Sequence, residues 1–184
     1  LHATRIFSPN VITVPLNDNG RPTFKLDTLA PANGFNHDNA HEAISDVEAT
    51  IYMSKLMRDR VPEIWQNMFN LRSKQNVAYF IAKNDVFVGA EFYFGEAYSW
   101  LLTHCGSNPN YNAEFAAFNL SISPDDYIDL TVDELVSVLN GKNRPIRIFK
   151  SNGQPILMSK ELIPQNTIAE DLTSDKIERR AAQI

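Results

Sequence analysis

Residues 35–57 read Phe-Asn-His-Asp-Asn-Ala-His-Glu-Ala-Ile-Ser-Asp-Val-Glu-Ala-Thr-Ile-Tyr-Met-Ser-Lys-Leu-Met, and the rest of the chain is organised around them. Asn39 is placed to cap a helix, with Glu42 three residues on as its capping-box partner. From there Ile44, Val47 and Ile51 recur at helical spacing. Ala49, Met53 and Leu56 make a second apolar stripe, so the pattern predicts a helix buried on two sides. Asp46 falls on that second side, where a carboxylate is costly unless a cation or hydrogen-bond donors meet it. His41 sits in the mouth of the helix. Five helical residues are about 140° apart, so His41 and Asp46 converge only if His41 lies in the loop or first turn. Two readings stay open: a water-activating histidine beside a metal-binding carboxylate, and a first-turn histidine with a solvent-facing aspartate.

Working outward, the 184 residues are 43% hydrophobic and 21% charged, which fits one or two globular units. A net charge of −5 and a pI of about 5.3 exclude a chain that is basic as a whole, so any nucleic-acid binding must come from local patches. The lone Cys105 excludes an internal disulfide framework and fits a reducing cytoplasm. No apolar run approaches about 20 residues, so no membrane span is expected. The sequence starts at Leu1 without a signal pattern and reads as a piece of something longer.

Before the organising helix, residues 1–19 are rich in turn chemistry, and Thr23 to Leu29 reads as a short helix stopped by Pro31 to Gly34. After it, Pro62 disfavours helical geometry at Val61 and opens a further helix, Glu63 to Phe69. The period then changes. Val77–Ala82, Val86–Phe94, Tyr98–Thr103, Glu114–Leu120, Ile146–Phe149 and Pro155–Met158 all read as short strands. One helix interrupts them, Val132 to Leu139, opened by Asp129 or Thr131 and stopped at Asn140-Gly141. Strands with one inserted helix predict a small barrel. From about Lys160 the text is polar and ends in a helix or linker with no evident packing partner.

Three more groups could carry chemistry. His37 and His41, with Asp46, could clamp zinc, although no glutamate stands where a zinc-protease motif needs one. His104 and Cys105 could pair as base and nucleophile, against the plainer reading of a buried cysteine near a strand end. Lys142, Arg144, Arg147 and Lys150 crowd together without an acid. With Arg58, Arg60, Arg72 and Lys74 they could track a phosphate backbone while Phe24, Tyr79, Phe92 or Trp100 offer stacking surfaces. The alternative is a solvated strand edge guarded against aggregation.

Two runs resemble bacterial exonuclease I, a family that degrades single-stranded DNA from the 3′ end. Gly20 to Gly34 reads Gly-Arg-Pro-Thr-Phe-Lys-Leu-Asp-Thr-Leu-Ala-Pro-Ala-Asn-Gly, and Asn39 to Ile51 reads Asn-Ala-His-Glu-Ala-Ile-Ser-Asp-Val-Glu-Ala-Thr-Ile. The likeness continues through Pro62-x-Ile64-Trp65, Arg72-Ser73-Lys74, Ser99-Trp100, Pro145 to Ile148 and Asn152 to Ile156. It implies an α+β fold: residues 1–62 as the C-terminal helical part of a ribonuclease-H-like exonuclease domain, 63–76 as a connection, 77–160 as a small Src-homology-3-like β-barrel with an inserted helix, and 161–184 as a linker toward a missing helical domain. It also implies roles. His41 would be the general base and Asp46 one ligand of a two-Mg²⁺ site releasing nucleoside 5′-monophosphates. Phe24 and Lys25 would hold the 3′-terminal nucleotides, Lys25 standing where the family usually has arginine. Lys74, Asn112, Arg147 and Asn152 match positions expected to touch the strand. Single-stranded DNA is the expected partner and, through the parent protein, single-strand DNA-binding protein, in cytoplasmic DNA repair and recombination.

The departures matter as much. The family's Asp-x-Glu on its opening strand is absent, as is its middle aspartate, which leaves one metal ligand of four. The expectation is therefore a fragment that is inactive alone, its parent being an exonuclease. The competing class is a non-catalytic single-stranded nucleic-acid-binding or interaction module, which would not need the missing acids.

Overall fold

The computed structural model describes residues 1–36, 42–139, 141, 144–164, 167 and 172–184. The chain divides into two compact units, Leu1–Phe69 with Glu91–Tyr98, and Asn70–Ala90 with Ser99–Ile184.

The first unit is helical. Helices α1 (His2–Phe7), α2 (Leu26–Ala32), α3 (Ala43–Arg60) and α4 (Pro62–Asn70) follow one another, and α2 packs on α3. The predicted Thr23–Leu29 helix is displaced toward the C-terminus, because Lys25 is held extended and Pro31 sits inside the last turn. It still stops at Asn33-Gly34, where Gly34 has φ +93°. The Asn33 side chain ties the end of α2 to the segment at Thr13: its amide donates to Thr13 O and Leu29 O at 2.8 Å, and its oxygen accepts from Thr13 N at 2.9 Å. Tyr52 Oη on α3 donates to Asn33 O at 2.8 Å, which fixes the two helices together at this point.

Helix α3 starts later than its sequence suggests. Glu42 is itself the extended residue before the helix and makes no side-chain cap bond, and Asn39, the expected cap, lies outside the described residues. The helix ends at Val61 before Pro62, as the steric rule requires. Only one of its two stripes is covered. Ala49, Met53 and Leu56 are buried, whereas Ile44, Val47 and Ile51 are 76%, 57% and 47% exposed. The expectation of a helix buried on two sides is corrected to one; nothing in the described structure packs on the other.

The second unit carries a sheet, except for the hairpin end Glu91–Tyr98, which belongs to the first unit. Helix α5 (Lys74–Lys83) leads into β1 (Phe87–Tyr93), β2 (Glu96–Ser107) and β3 (Glu114–Asn119), then α6 (Val132–Leu139), β4 (Ile146–Lys150), β5 (Ile156–Ser159) and α7 (Ser174–Ala182). The ends of β1 and β2 meet at Phe94-Gly95, with φ +53° and +84°, a turn that glycine tolerates and a bulky side chain does not favour. The strand order β4-β3-β2-β1-β5 makes an open five-stranded sheet with β4 and β5 at its edges, not the closed barrel expected. The segment Val77–Ala82 is helix rather than strand. Ser73 Oγ caps it by accepting from Asn76 N at 3.4 Å, and Val77, Phe80 and Ile81 recur at helical spacing against the core. Strand β2 runs longer than predicted and contains a bulge: His104 pairs with Ala117 and Gly106 with Ala116, so Cys105 is the extra residue.

One face of the sheet carries Phe87, Leu102, Phe115, Ala117, Phe149 and Leu157, which close on Leu71 and Val77. Phe115 and Phe149 stack at 5.5 Å. Thr131, not Asp129, opens α6: its hydroxyl and backbone N–H both donate to Glu134, at 2.7 and 2.8 Å, and hold that carboxyl below its usual range. The C-terminal helix α7 does find a partner within this unit. Arg180 Nη1 donates to Leu120 O at 2.6 Å, and Gln183 Nε2 to Asp125 Oδ1 at 2.7 Å.

Gly89 on β1 is needed for space. A Cβ there would lie 2.5 Å from Leu102 Cδ1 and 2.7 Å from Phe149 Cζ, both in the packed core. Gly89→Ala is expected to cost about 1–3 kcal/mol, read as a lower urea midpoint at unchanged slope. A midpoint equal to wild type would mean that the core yields at this point.

Candidate nucleic-acid interface

In the second unit the loop 108–113 between β2 and β3 is shaped by Asn108. Its Oδ1 accepts from Asn110 N at 2.9 Å and Tyr111 N at 3.2 Å, and its amide donates to Glu114 Oε2 at 2.9 Å. That geometry sets Asn112 beside the start of α5, where Lys74 Nζ donates to Asn112 Oδ1 at 2.6 Å. Ser151, at the turn after β4, ties that turn to the same loop through its N (2.7 Å) and Oγ (3.0 Å), both donating to Ala113 O. Next to it, Asn152 Nδ2 donates to Tyr111 Oη at 3.1 Å. Lys74, Asn112 and Asn152 therefore come together, with Tyr111 as the link. Nothing in local spacing marks Tyr111; the Asn-Pro-Asn-Tyr-Asn turn that positions it is the only hint the sequence carries.

Arg147 stands apart from this group. It sits on β4 opposite Ala117, and its guanidinium carbon lies 4.1 Å from the centroid of the Trp100 ring. Its Nε is buried with no hydrogen-bond partner among the described residues. A buried donor without an acceptor is a free-energy cost that an arriving oxygen would relieve. The indole face, one of the stacking surfaces considered from sequence, is thus already taken by a cation.

In the first unit Phe24 precedes α2 and Lys25 is that helix's exposed, extended cap residue. Phe24 is half-buried, edge-on to Phe92 at 5.1 Å and to His2 at 4.7 Å, while His2 and Phe92 stack at 4.8 Å. Burial, and then the neighbouring amino terminus, lowers the His2 pKa. Neither His2 nor Phe92 carries a sequence signal for packing on Phe24, because the three are far apart in the chain.

Asp46 is half-buried in the first turn of α3. Its N–H donates to Glu42 O at 3.0 Å and its carbonyl accepts from Thr50 Oγ1 at 2.8 Å. His41 and His37 lie outside the described residues, and with them both the expected general base and the zinc trio. Among the described residues no group of three or more His, Cys, Asp or Glu side chains is gathered to hold a metal ion. Among the described residues the donor set does not make up a two-magnesium site. Cys105 is half-buried, and burial pushes its thiol up to about 11, which removes it as a nucleophile near neutral pH. No helix among the described residues is long and apolar enough to cross a membrane.

No family model matches the chain. It is 42% identical over 77 residues to exodeoxyribonuclease I of Escherichia coli (strain K12), a match covering 42% of this chain and 16% of that protein. The exodeoxyribonuclease I of Haemophilus influenzae is 41% identical over 69 residues, covering 38% and 15%. The crystal structure of E. coli exonuclease I in complex with a dA16 oligonucleotide superposes on 99% of this chain and 42% of its own, with TM-score 0.72 and 25% identity. An exonuclease I complex with the single-strand-binding-protein C-terminus, ExoI/SSB-Ct, matches in fold over 97% of this chain and 39% of its own, at TM-score 0.67 and 24% identity. The chain thus spans less than half of these solved chains. It is similar to exodeoxyribonuclease I in sequence over part of its length and in fold over nearly all of it.

Proposed function

We propose that these residues form the strand-holding part of a 3′-to-5′ single-stranded DNA exonuclease of the exodeoxyribonuclease I type. The likeness in both sequence and fold to an exonuclease whose structure holds a dA16 oligonucleotide carries this reading. In it residues 1–62 are the C-terminal part of a ribonuclease-H-like nuclease domain, 63–76 the connection, 77–160 a Src-homology-3-like module in open form, and 161–184 the link onward. Phe24, braced by His2 and Phe92, receives the terminal base, and Lys25 its phosphate. Lys74, Asn112 and Asn152 line up on the second unit to hold the backbone, and Arg147 offers a buried donor to a phosphate oxygen. Asp46 and His41 are this chain's share of a catalytic site using divalent metal, Mg²⁺ by the chemistry of carboxylate ligands, whose other acids come from outside these 184 residues. Single-strand DNA-binding protein is a partner of the parent, as in the ExoI/SSB-Ct complex.

The test is fluorescence anisotropy with a labelled 3′-ended oligonucleotide at about 50 and 200 mM salt. Neutralising two phosphates of a single strand releases their counterions, so affinity should fall about sevenfold across that range. Lys74→Ala and Arg147→Ala should each weaken binding and flatten that slope. Salt-independent binding, or none at low salt, overturns the reading. A non-catalytic binding module is the second reading, favoured by the clustering of strand-holding residues in a unit without the acids. Digestion by the reassembled parent, abolished by Asp46→Ala, would exclude it.

A further inference from the structure

A half-open cleft of about 450 Å³ lies within the second unit, against the face of α5 that carries Lys74, Ala78 and Ile81. Its size falls in the range of small-molecule sites, about 300–1,000 Å³. We propose that this cleft takes one nucleobase of the bound strand; the proposal rests on the DNA-holding role above and adds a subsite to it.

Three observations point to a base. The Lys74–Asn112 pair stands at the cleft, so a backbone held there has the cleft beside it. Beyond Lys74 the wall on the helix side is apolar: Ala78 and Ile81 follow the lysine at helical spacing, and the alanine leaves the room that a flat ring needs. The remaining charges decide which part of a nucleotide enters. Asp85 and Glu114 both line the cleft with Lys74; Glu114 is met by Lys150 Nζ at 3.8 Å and by Asn108 Nδ2 at 2.9 Å, whereas Asp85 is exposed. The Asp85 carboxylate opposes a phosphate inside the cleft and leaves a neutral ring unopposed. The phosphate stays at the lysine and the base goes in. Packing of a flat face on this apolar wall and on Phe115, which also lines the cleft, tolerates any base.

The experiment compares two labelled oligonucleotides of equal length, an oligodeoxyadenylate and its abasic counterpart, on the full chain. Filling the cleft with Ala78→Leu keeps the helix, since leucine is a good helix former at this exposed position. Binding of the oligodeoxyadenylate should weaken about fivefold or more, with the abasic strand unchanged. Adenosine, but not inorganic phosphate, should shift the amide resonances of Ala78 and Ile81, a readout that needs no variant. Equal losses on both strands, or no loss on either, overturn the base subsite while the DNA-holding role stands. If wild type binds neither strand, both fall together.

Discussion

In magnesium-containing buffer the purified chain should release no nucleotide from a 3′-ended single strand, its rate indistinguishable from that without protein. Two-metal phosphodiester hydrolysis depends on a carboxylate set that spaces and neutralises two dications. Magnesium binds such sites through carboxylate oxygens and water, and a single first-turn carboxylate such as Asp46 cannot hold two ions at a short separation. Among the described residues no group of three or more His, Cys, Asp or Glu side chains is gathered to hold a metal ion. Thin-layer or chromatographic detection of nucleoside monophosphates over hours is the measurement. Digestion by the wild-type chain that disappears in a His41→Ala version would overturn the expectation. It would mean that the outstanding ligands are supplied from within these residues.

The largest change in stability should come from Phe87→Ala. Phe87 is fully buried on β1, edge-on to Phe80 at 6.0 Å and in the cluster with Leu102, Phe149 and Leu157. Removing a buried phenyl ring costs about 3–5 kcal/mol, the transfer term plus the cavity it leaves. Against a total of about 5–15 kcal/mol, that is enough to unfold a marginal unit at room temperature. Urea unfolding followed by far-ultraviolet circular dichroism gives the number. Phe94, seven residues on, supplies the contrast. It is 81% exposed at the tip of the hairpin, so Phe94→Ala should be close to neutral. Equal costs at the two positions would show that burial in the sheet is not what makes Phe87 matter.

Local signals were legible in the sequence where one or two residues settle the backbone. Asn33-Gly34 stops α2, Pro62 breaks α3 from α4, and Thr131 with Glu134 opens α6, each acting within a turn of itself. The run Val77–Ala82 was not, since six apolar residues fit a buried strand and a short helix equally until the Ser73 cap and the facing core choose. Periodicity also cannot say which of two apolar stripes on α3 is covered, because that depends on what packs there. The interface follows the same division. Lys74 meets Asn112 across 38 residues, and Asn152 meets Tyr111 across 41; Lys74 stood out as a basic residue as well as by the resemblance, while Asn112 and Asn152 were pointed to by the resemblance alone. Tyr111 escaped both. The placing of His41 relative to Asp46 is not among the described residues.

The extra residue at Cys105 acts on the strand as a change of phase. Up to His104, alternate residues of β2 put Trp100, Leu102 and His104 on the side that faces the core. Beyond it the parity inverts, and Ser107, opposite Phe115, takes that side in place of Gly106. The inversion brings His104 and Ser107 to one rim, where their side chains come within 3.4 Å. What position 105 contributes is thus length and not chemistry. A serine or alanine there leaves the bulge intact, whereas loss of the residue would close the bulge into a regular ladder, with Gly106 still opposite Ala116 and Ser107 still opposite Phe115.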